Sequence, residues 1–279
     1  MNRRTMWVMT AAIVGSVFPS AAFGQSSADI VTTREMNRIN WMEFRDVVPS
    51  KINTVILPTG TLEPHGVIAN GADNIAPLAI ARQIARDVNA LIAPTLPYGV
   101  TGSMSNYPGA FQISEKAYRP FVTDILEGLV ANGFKNIIIM NGHGGPQTAI
   151  LQSVAAQVAN AHRGVRTLVI NWWSVTADIM KEVFGQNGGH AGINETAFIQ
   201  AIDPRLVYRE RYTPDLAIAY PEPGTWAATP FPASIGLYEE GEGYPDFDEQ
   251  KAKIYFDRVT KAIADLIKDI IKRWDAAGL

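Results

Sequence analysis

Short apolar runs alternate with segments of helical periodicity along most of the chain. The clearest apolar run covers residues 136–140 (NIIIM), and shorter runs cover 53–57, 91–94 and 166–171. These runs are rich in aliphatic residues and are bounded by turn-forming residues, which predicts buried strands. A continuous apolar run without alternation is typical of a parallel sheet that is covered on both faces.

Between these runs, apolar residues recur every three or four positions, which predicts helices. The predicted helices cover 75–88, 115–132 and 147–161, a long last helix covers 248–274, and a helix and turn are predicted around 41–48. Strands that alternate with helices of this length predict an α/β fold, a three-layer α/β/α sandwich with a mostly parallel central sheet. In such sheets, ligands bind at the carboxyl ends of the strands.

The first 24 residues have the order of regions that is found in a secretory signal peptide. A pair of arginines precedes an apolar run from Met6 to Phe18, and small residues suit cleavage after Gly24. This run is shorter than the roughly 20 residues that span a bilayer, which disfavours a membrane anchor. The sequence therefore predicts a signal peptide at 1–24, one domain at 25–279, and a periplasmic or secreted protein without stable membrane insertion. The Sec and twin-arginine export routes both stay open.

The charge and the cysteine content of the chain narrow its chemistry. The 279 residues include 24 basic and 27 acidic side chains, for a formal charge of -3, without a long run of either sign. This balance disfavours nucleic acid as a partner and favours a small neutral or weakly charged molecule. The chain has no cysteine, so disulfides and cysteine metal ligands are excluded. Any metal ion must bind histidine and carboxylate side chains.

Three of the four histidines, His65, His143 and His190, lie in glycine-rich loops rather than on helix faces. The loops of His65 and His143 directly follow predicted strands, so we expect them to meet over one crevice at the edge of the sheet. A single histidine of this kind is more often a hydrogen-bonded structural residue. The neighbouring glycines favour a functional role, because they permit the sharp turns that present an imidazole at a strand end. His162 lies near a predicted helix end and is interpreted as structural.

Two carboxylates accompany these histidines. Glu63 comes two positions before His65, so their side chains point to the same side of an extended backbone. Asp73 stands at the start of the next predicted helix, where it could cap the helix, bind a metal ion, or do both. Nitrogen and oxygen ligands without sulfur suit zinc, manganese or iron(II). Two such ions that share a carboxylate could polarise a carbonyl and supply a hydroxide at neutral pH.

Four motifs occur in the order and at about the spacing of one known family. They are 57–66 (LPTGTLEPHG), 106–109 (NYPG), 140–145 (MNGHGG) and 190–196 (HAGINET). Each motif is weak alone, but together they resemble the creatininase family from about Trp41 through Ala201. The resemblance implies a creatininase-like fold. It also implies a divalent-metal-dependent amidohydrolase that cleaves a non-peptide carbon–nitrogen bond, as in a cyclic amide or formamide, in a small-molecule amide substrate.

The resemblance further implies a centre of two divalent metal ions. Glu63 and His143 would bind one ion, and His65 would bind the other. Asp73 would bridge both ions. His190 matches the family's active-site histidine, which would protonate the leaving nitrogen or stabilise the developing oxyanion. Relatives assemble as hexamers, so a homo-oligomer is implied by the same resemblance.

The chain departs from the family pattern near this centre. Creatininase itself has a glutamate two residues after the strand-end histidine, which completes the second ion's coordination, and this chain has Gly145 there. Glu195, a candidate for both catalysis and metal binding, is nearest to replace it, although a carboxylate in the first turn of a helix also favours the helix dipole. The segment between His65 and Asp73 is one residue shorter and lacks a second histidine, and Pro146 replaces a usual asparagine. These differences disfavour creatinine itself as the substrate.

Two other functions stay open from the sequence. Some relatives trim a peptide during cofactor maturation, so the chain could be a processing peptidase of the same family. Loss of the second ion, which Gly145 makes possible, would instead leave a non-catalytic periplasmic binding protein on the same fold. Trp172 and Trp173 could line a substrate pocket, although adjacent tryptophans more often pack in a core. The aromatic-rich segment 220–244 could contribute to binding in either enzyme.

Overall fold

A four-stranded parallel sheet forms the centre of the structure, a computed structural model that describes residues 30–219 and 226–279. Its strands are β1 (Thr54–Thr59), β2 (Ala90–Ile92), β3 (Asn136–Asn141) and β4 (Arg166–Asn171). They are ordered β2-β1-β3-β4, and each neighbouring pair is parallel. All four strands agree, within about two residues, with those that the apolar runs predict.

Helices connect the strands and cover the sheet. In the described ranges they are α1 (Trp41–Val47), α2 (Ala72–Ile84), α3 (Glu115–Ala131), α4 (Gly145–Ala161), α5 (Trp172–Val175), α6 (Ala177–Phe184), α7 (Ile193–Ile202) and α8 (Glu249–Ala276). The periodicity predicts α1 to α4 and α8, but not α5, α6 and α7. Helices α5 and α6 have only four and eight residues, too few for a recognisable helical period. Helix α7 is buried on nearly all sides and so has no exposed polar face.

Alternate side chains of the central strands point to opposite faces of the sheet, and both faces are covered. Val55 and Leu57 of β1 belong to an apolar core with α3 and α4. Ile56 belongs to a second core with α2, α7 and α8. Burial on both faces explains why the strands are continuous apolar runs. The predicted three-layer α/β/α sandwich is therefore confirmed.

A second, three-stranded sheet is absent from the sequence-based prediction. It consists of β5 (Gly189–His190), β6 (Ala217–Ala219) and β7 (Ile235–Leu237), ordered β5-β7-β6. His190 pairs with Gly236 in the antiparallel ladder between β5 and β7. Strands of two or three residues are too short to produce a recognisable alternation. This sheet nevertheless positions the backbone of His190.

Residues Val31–Leu279 group into one unit by their contacts. Within the described part of the chain, no helix combines the length and the apolar character that a membrane crossing requires. The signal peptide predicted at 1–24 lies outside the described residues and stays a prediction.

Candidate metal centre

Four side chains from two strand-end loops and one helix meet at the carboxyl edge of the sheet. Glu63 and His65 follow β1, and His143 follows β3, the strand next to β1. Asp73 is the second residue of α2. All four residues are at most 7% exposed. The expected meeting of the two loops is therefore present, and its four side chains are buried.

Asp73 contacts both of these histidines, one with each carboxylate oxygen. Its Oδ1 lies 3.0 Å from Nε2 of His65, and its Oδ2 lies 2.9 Å from Nδ1 of His143. Glu63 Oε1 lies 3.2 Å from the same nitrogen of His143. The residue at the capping position of α2 is Gly71, so Asp73 does not cap the helix. Its carboxylate instead connects the two histidines.

Backbone carbonyls determine which nitrogen of each histidine faces the carboxylates. His65 Nδ1 donates to the Glu63 carbonyl at 3.1 Å, and His143 Nε2 donates to the Val100 carbonyl at 3.1 Å. In a neutral imidazole the other nitrogen then carries only a lone pair. A carbonyl at the distal nitrogen is the usual arrangement around metal-binding histidines.

Nε2 of His65, the ring nitrogen that faces Asp73, is a buried atom that a bound cation would stabilise. Nε2 has no aligned hydrogen-bond partner among the described residues, although Asp73 Oδ1 is only 3.0 Å away. A lone pair and a carboxylate oxygen repel each other at this distance. A metal ion between them, or a second proton on the ring, removes the repulsion. The donor set therefore fits a cation at this position.

The electrostatics of the cluster also favour positive charge. Burial opposes protonation of His65, but the neighbouring carboxylates, Asp73 first, raise its pKa to about 10. The pKa of His143 is likewise raised well above its usual value, against the effect of burial, mainly by the charge of Glu63. Burial disfavours the ionised form of Asp73, yet the two histidines hold its pKa well below the usual range. Carboxylates that attract protons this strongly can also attract a divalent cation.

Overlapping groups of three side chains have ligand atoms close enough to bind one ion each. Within each group the ligand atoms lie within 4.8 Å of one another. In the described residues one group is Glu63, Asp73 and His143, and a second is His65, Asp73 and Glu195. The third is Glu63, His65 and His190. Asp73 belongs to both of the first two groups, which is the arrangement of a bridging carboxylate. Nitrogen and oxygen ligands in these numbers fit two divalent ions.

Glu195 lies where a ligand for the second ion is needed. It is the third residue of α7, and its Oε2 lies 3.7 Å from Nε2 of His65. The same oxygen accepts a hydrogen bond from the backbone N–H of Ala191 at 2.6 Å. Burial raises the pKa of Glu195, despite the opposing charge of the histidines. The carboxylate therefore stands at a helix N-terminus and also faces the centre, so the two interpretations of this residue are compatible.

Gly145 leaves open space where creatininase has its glutamate. A Cβ atom at Gly145 would have no atom of the described residues within 4 Å. The residue is the first of α4 and has a φ of 56°, a conformation that favours glycine. The centre is therefore open on the side of Gly145.

His190 is the most accessible histidine of the cluster. Its side chain is 19% exposed, compared with 0% for His65 and 9% for His143. Its Nε2 donates to the Pro64 carbonyl at 2.7 Å, and its Nδ1 lies 3.5 Å from Glu63 Oε1. The rings of His190 and His65 are 4.5 Å apart between centroids. His190 thus lies beside the metal-binding groups and can also reach a bound molecule.

Two glycines allow the strand-end loops to close on Asp73. A Cβ atom on Gly142 would lie 1.9 Å from the backbone oxygen of Asp73, and a Cβ atom on Gly60 would lie 2.3 Å from it. Neither position has room for a side chain.

The backbone next to His190 is strained. Ala191 has a φ of 54°, in the left-handed region that is strained for a non-glycine residue. Such strain often occurs at functional sites.

The centre opens into a cavity of about 840 Å³. Five of the candidate residues contribute to its wall, namely Glu63, Asp73, His143, His190 and Glu195. His65 is not among the wall residues. A second cavity, of about 470 Å³, lies near the C-terminus and has no histidine or carboxylate residue among its described wall residues. The chemistry of the protein is therefore expected in the larger cavity.

Four aromatic residues also contribute to the wall of this larger cavity. They are Trp173, Trp226, Phe231 and Tyr238. Trp172 instead packs in the core against Phe198, with ring centroids 4.3 Å apart. Trp226, Phe231 and Tyr238 lie in the aromatic-rich segment 220–244, so the aromatic content of that segment is the sequence signal that indicates them.

His162 lies outside this cavity wall. Its Nε2 contacts Oε2 of the surface residue Glu127 at 2.7 Å, which agrees with the interpretation of His162 as a structural residue.

The family of the chain follows from comparison with known proteins. The family model described as Creatininase, creatinine amidohydrolase, matches residues 37–267. The chain belongs to the creatininase family. A creatinine amidohydrolase from Pseudomonas putida is 23% identical over 255 residues, which cover 84% of this chain and 96% of that protein. A mycofactocin precursor peptide peptidase from Mycobacterium ulcerans is 25% identical over 176 residues, which cover 59% of this chain and 64% of that protein.

Solved creatininase structures share the fold of this chain. A mutant creatininase of Zn–Zn type and a creatininase described as Mn each give a TM-score of 0.71 at 20% identity. Each comparison covers 85% of this chain and 98% of the solved chain. The α/β/α architecture is therefore that of the creatininase family, as the four sequence motifs imply.

Proposed function

We propose that this protein is a divalent-metal-dependent amidohydrolase that cleaves a non-peptide carbon–nitrogen bond in a small cyclic amide, formamide or similar molecule. The observation that carries the proposal is the position of Asp73, whose two oxygens face His65 and His143. The cavity of about 840 Å³ beside it is of the size that binds small molecules. Family membership and the similarity to a creatinine amidohydrolase support the reaction class.

The centre would hold two divalent cations, either zinc, manganese or iron(II). One ion would bind Glu63, Asp73 and His143. The other would bind His65, Asp73 and Glu195. The Zn–Zn and Mn types of solved creatininases support this assignment. When bound, such ions polarise the scissile carbonyl and lower the pKa of the attacking water.

The side chains of the protein would transfer the protons. The Pro64 carbonyl fixes Nε2 of His190, which leaves Nδ1, beside Glu63, to take up and release a proton. His190 would thereby protonate the leaving nitrogen. Oε2 of Glu195 faces His65 and Ala191, and its other oxygen, Oε1, would accept the proton that the attacking water loses. His190 and Glu195 both line the cavity, where substrate would displace bulk water.

Metal analysis together with a substrate panel tests this function. Purified protein should bind two equivalents of metal, and chelation should abolish turnover that added zinc or manganese restores. The panel contains lactams, hydantoins and formamides. If fully metal-loaded protein hydrolyses no member of the panel, the proposed reaction is wrong. Protein that binds no metal would instead favour the binding-protein alternative.

A processing peptidase is the second candidate function. The similarity to a mycofactocin precursor peptide peptidase favours it. A peptide substrate would have to reach the same centre through the same cavity. Unstructured peptides are therefore added to the panel. Cleavage of these peptides without turnover of any cyclic amide would favour the peptidase.

We also propose that the mature protein begins at Gln25, acts in the periplasm or outside the cell, and forms a homo-oligomer. The signal-like order of residues 1–24 supports export. Family membership supports assembly, with a hexamer as the expected form. Light scattering of the purified mature protein measures the subunit count, and a monomer would contradict the proposed assembly.

A further inference from the structure

The wall of the larger cavity has an uneven distribution of charge. Among its described wall residues there is no lysine and no arginine, whereas Glu239 adds a carboxylate outside the metal centre. The sequence 220–225 (YPEPGT) contains no basic residue either. A carboxylate or phosphate on a substrate would therefore meet no cationic side chain in the described wall.

Glu239 is exposed at the mouth of this cavity. The side-chain amide of Asn187, another wall residue, donates to Oε1 of Glu239 at 2.6 Å. The same amide donates to Oε2 of Glu242 at 3.2 Å. Two carboxylates thus share one donor, the Asn187 amide, which orients Glu239 and carries no charge of its own.

Glu242 and Glu239 differ in their charged surroundings. Glu242 accepts the backbone N–H of Asn187 at 3.2 Å. That hydrogen bond, then the side chain of Glu239, and with a smaller contribution the charge of Lys181, lower the pKa of Glu242. Neither Glu242 nor Lys181 is among the described wall residues of the cavity. Glu239 is therefore the carboxylate at the mouth that a bound molecule would meet.

Aromatic faces accompany this carboxylate. Tyr238 precedes Glu239, and Trp173, Trp226 and Phe231 line the same cavity. The rings of Trp226 and Phe231 are nearly parallel, with an interplanar angle of 12° and centroids 6.3 Å apart. Aromatic faces attract ammonium and guanidinium groups and disfavour anions. A cavity whose wall contains both a carboxylate and aromatic rings is therefore suited to an organic cation.

The two ends of the cavity favour substrate groups of opposite polarity. At the floor, two divalent cations would offset the charge of Glu63, Asp73 and Glu195 and would attract a carbonyl oxygen. At the mouth, Glu239 adds negative charge. A molecule with its amide carbonyl at the floor and a cationic group at the mouth satisfies both ends.

We propose that Glu239 selects positively charged substrates, and that the substrate is a compact amide with an ammonium or guanidinium group. Glu239 binds this group at the mouth while the amide reaches the metal centre. The proposal rests on the amidohydrolase function proposed for the same cavity. Glu239 is thus a specificity-determining residue that does not take part in the bond cleavage.

Three cyclic dipeptides of matched size test this selectivity. Cyclo(Gly-Lys), cyclo(Gly-Gln) and cyclo(Gly-Glu) share a six-membered diamide ring and differ in the charge of one arm. Calorimetry with zinc-loaded protein at low salt measures their binding, since salt screens an exposed ion pair. We expect the lysine probe to bind roughly fivefold more tightly than the glutamine probe, as for an exposed ion pair beside an aromatic face. The glutamate probe should bind most weakly.

A pair of variants assigns the selectivity to one side chain. Glu239→Gln should bind the lysine and glutamine probes equally and should keep its metal. Glu240→Gln removes the same charge from the adjacent residue, which is exposed and is not a described wall residue. This control should keep the preference for the lysine probe.

The proposal is overturned if wild-type protein binds the three probes equally, or binds none of them at millimolar concentration. An unchanged preference in Glu239→Gln would also overturn it. Because binding is measured without turnover, the outcome is separate from the reaction. Charge selectivity without hydrolysis of any amide would contradict the proposed reaction alone, and hydrolysis without charge selectivity would contradict the role of Glu239 alone.

Discussion

Asp73 Oδ2 lies 2.9 Å from Nδ1 of His143, although 70 positions separate the two residues in the chain. The contact joins the first turn of α2 to the loop after β3. The second oxygen of the same carboxylate faces His65. One side chain thus connects both halves of the proposed metal centre, and its replacement is the most direct test of that centre.

We expect Asp73→Asn to lower metal content more than Glu63→Gln or Glu195→Gln does. A bridging carboxylate serves both ions, and a neutral amide cannot offset their charge. Metal analysis of each folded variant, with circular dichroism as the check on folding, measures the effect. If Asp73→Asn retains two equivalents of metal, Asp73 is not the bridge.

Replacement of His190 should separate catalysis from metal binding. His190→Ala is expected to keep its metal and its fold while kcat falls by about 10²–10⁴-fold and KM changes little, because general acid catalysis contributes on that order. His143→Ala is the control and should lose metal together with activity. Equal metal loss in the two variants would make His190 a ligand instead of an acid.

Glu195→Gln should retain about one equivalent of metal. The group of Glu63, Asp73 and His143 remains complete in this variant, whereas the second ion loses a charged ligand beside His65. Metal titration followed by calorimetry distinguishes one site from two. Two sites of unchanged affinity would show that Glu195 is not a ligand of the second ion.

Gly142→Ala should disturb the centre through the backbone. The new Cβ would lie 1.9 Å from the Asp73 carbonyl oxygen, so the loop or the helix must move. We expect a loss of about 1–3 kcal/mol in the free energy of unfolding, together with weaker metal binding. Denaturant unfolding and metal analysis measure both effects.

Gly128→Ala is the matched control for that variant. Gly128 lies within α3, and a Cβ atom there would have no described atom within 4 Å. Alanine is favoured over glycine in a helix interior by up to about 1 kcal/mol, so this variant should be as stable as the wild type or more so. Equal behaviour of the two glycine variants would show that the approach of Gly142 to Asp73 is unimportant.

Export of the protein should produce a mature chain that begins at Gln25. The charged, apolar and small-residue regions of 1–24 occur in the order that signal peptidase requires. Amino-terminal sequencing of protein from the periplasm or the medium measures the cleavage site. An intact chain that begins at Met1 and remains in the cytosol would contradict the predicted export.

The sequence by itself determined the central sheet and most of the candidate metal ligands. The strands are recognisable because burial on both faces of a parallel sheet requires continuous apolar residues. Glu63, His65 and His143 are recognisable because they directly follow such strands, at the edge where ligands bind in this class of fold. Asp73 was located at the correct helix, but the sequence left open whether it caps the helix, and the structure shows Gly71 at the capping position.

Only the tertiary structure decided the surroundings of the centre. Helix α7 is buried on nearly all sides, and β5 and β7 are two or three residues long, so none of them produces a periodic pattern. The position of Glu195 beside His65, and that of Glu239 at the cavity mouth, depend on how these elements pack against the first sheet. Such contacts join residues that are far apart in the chain. The packing of the folded protein determines these positions, and no local sequence pattern does.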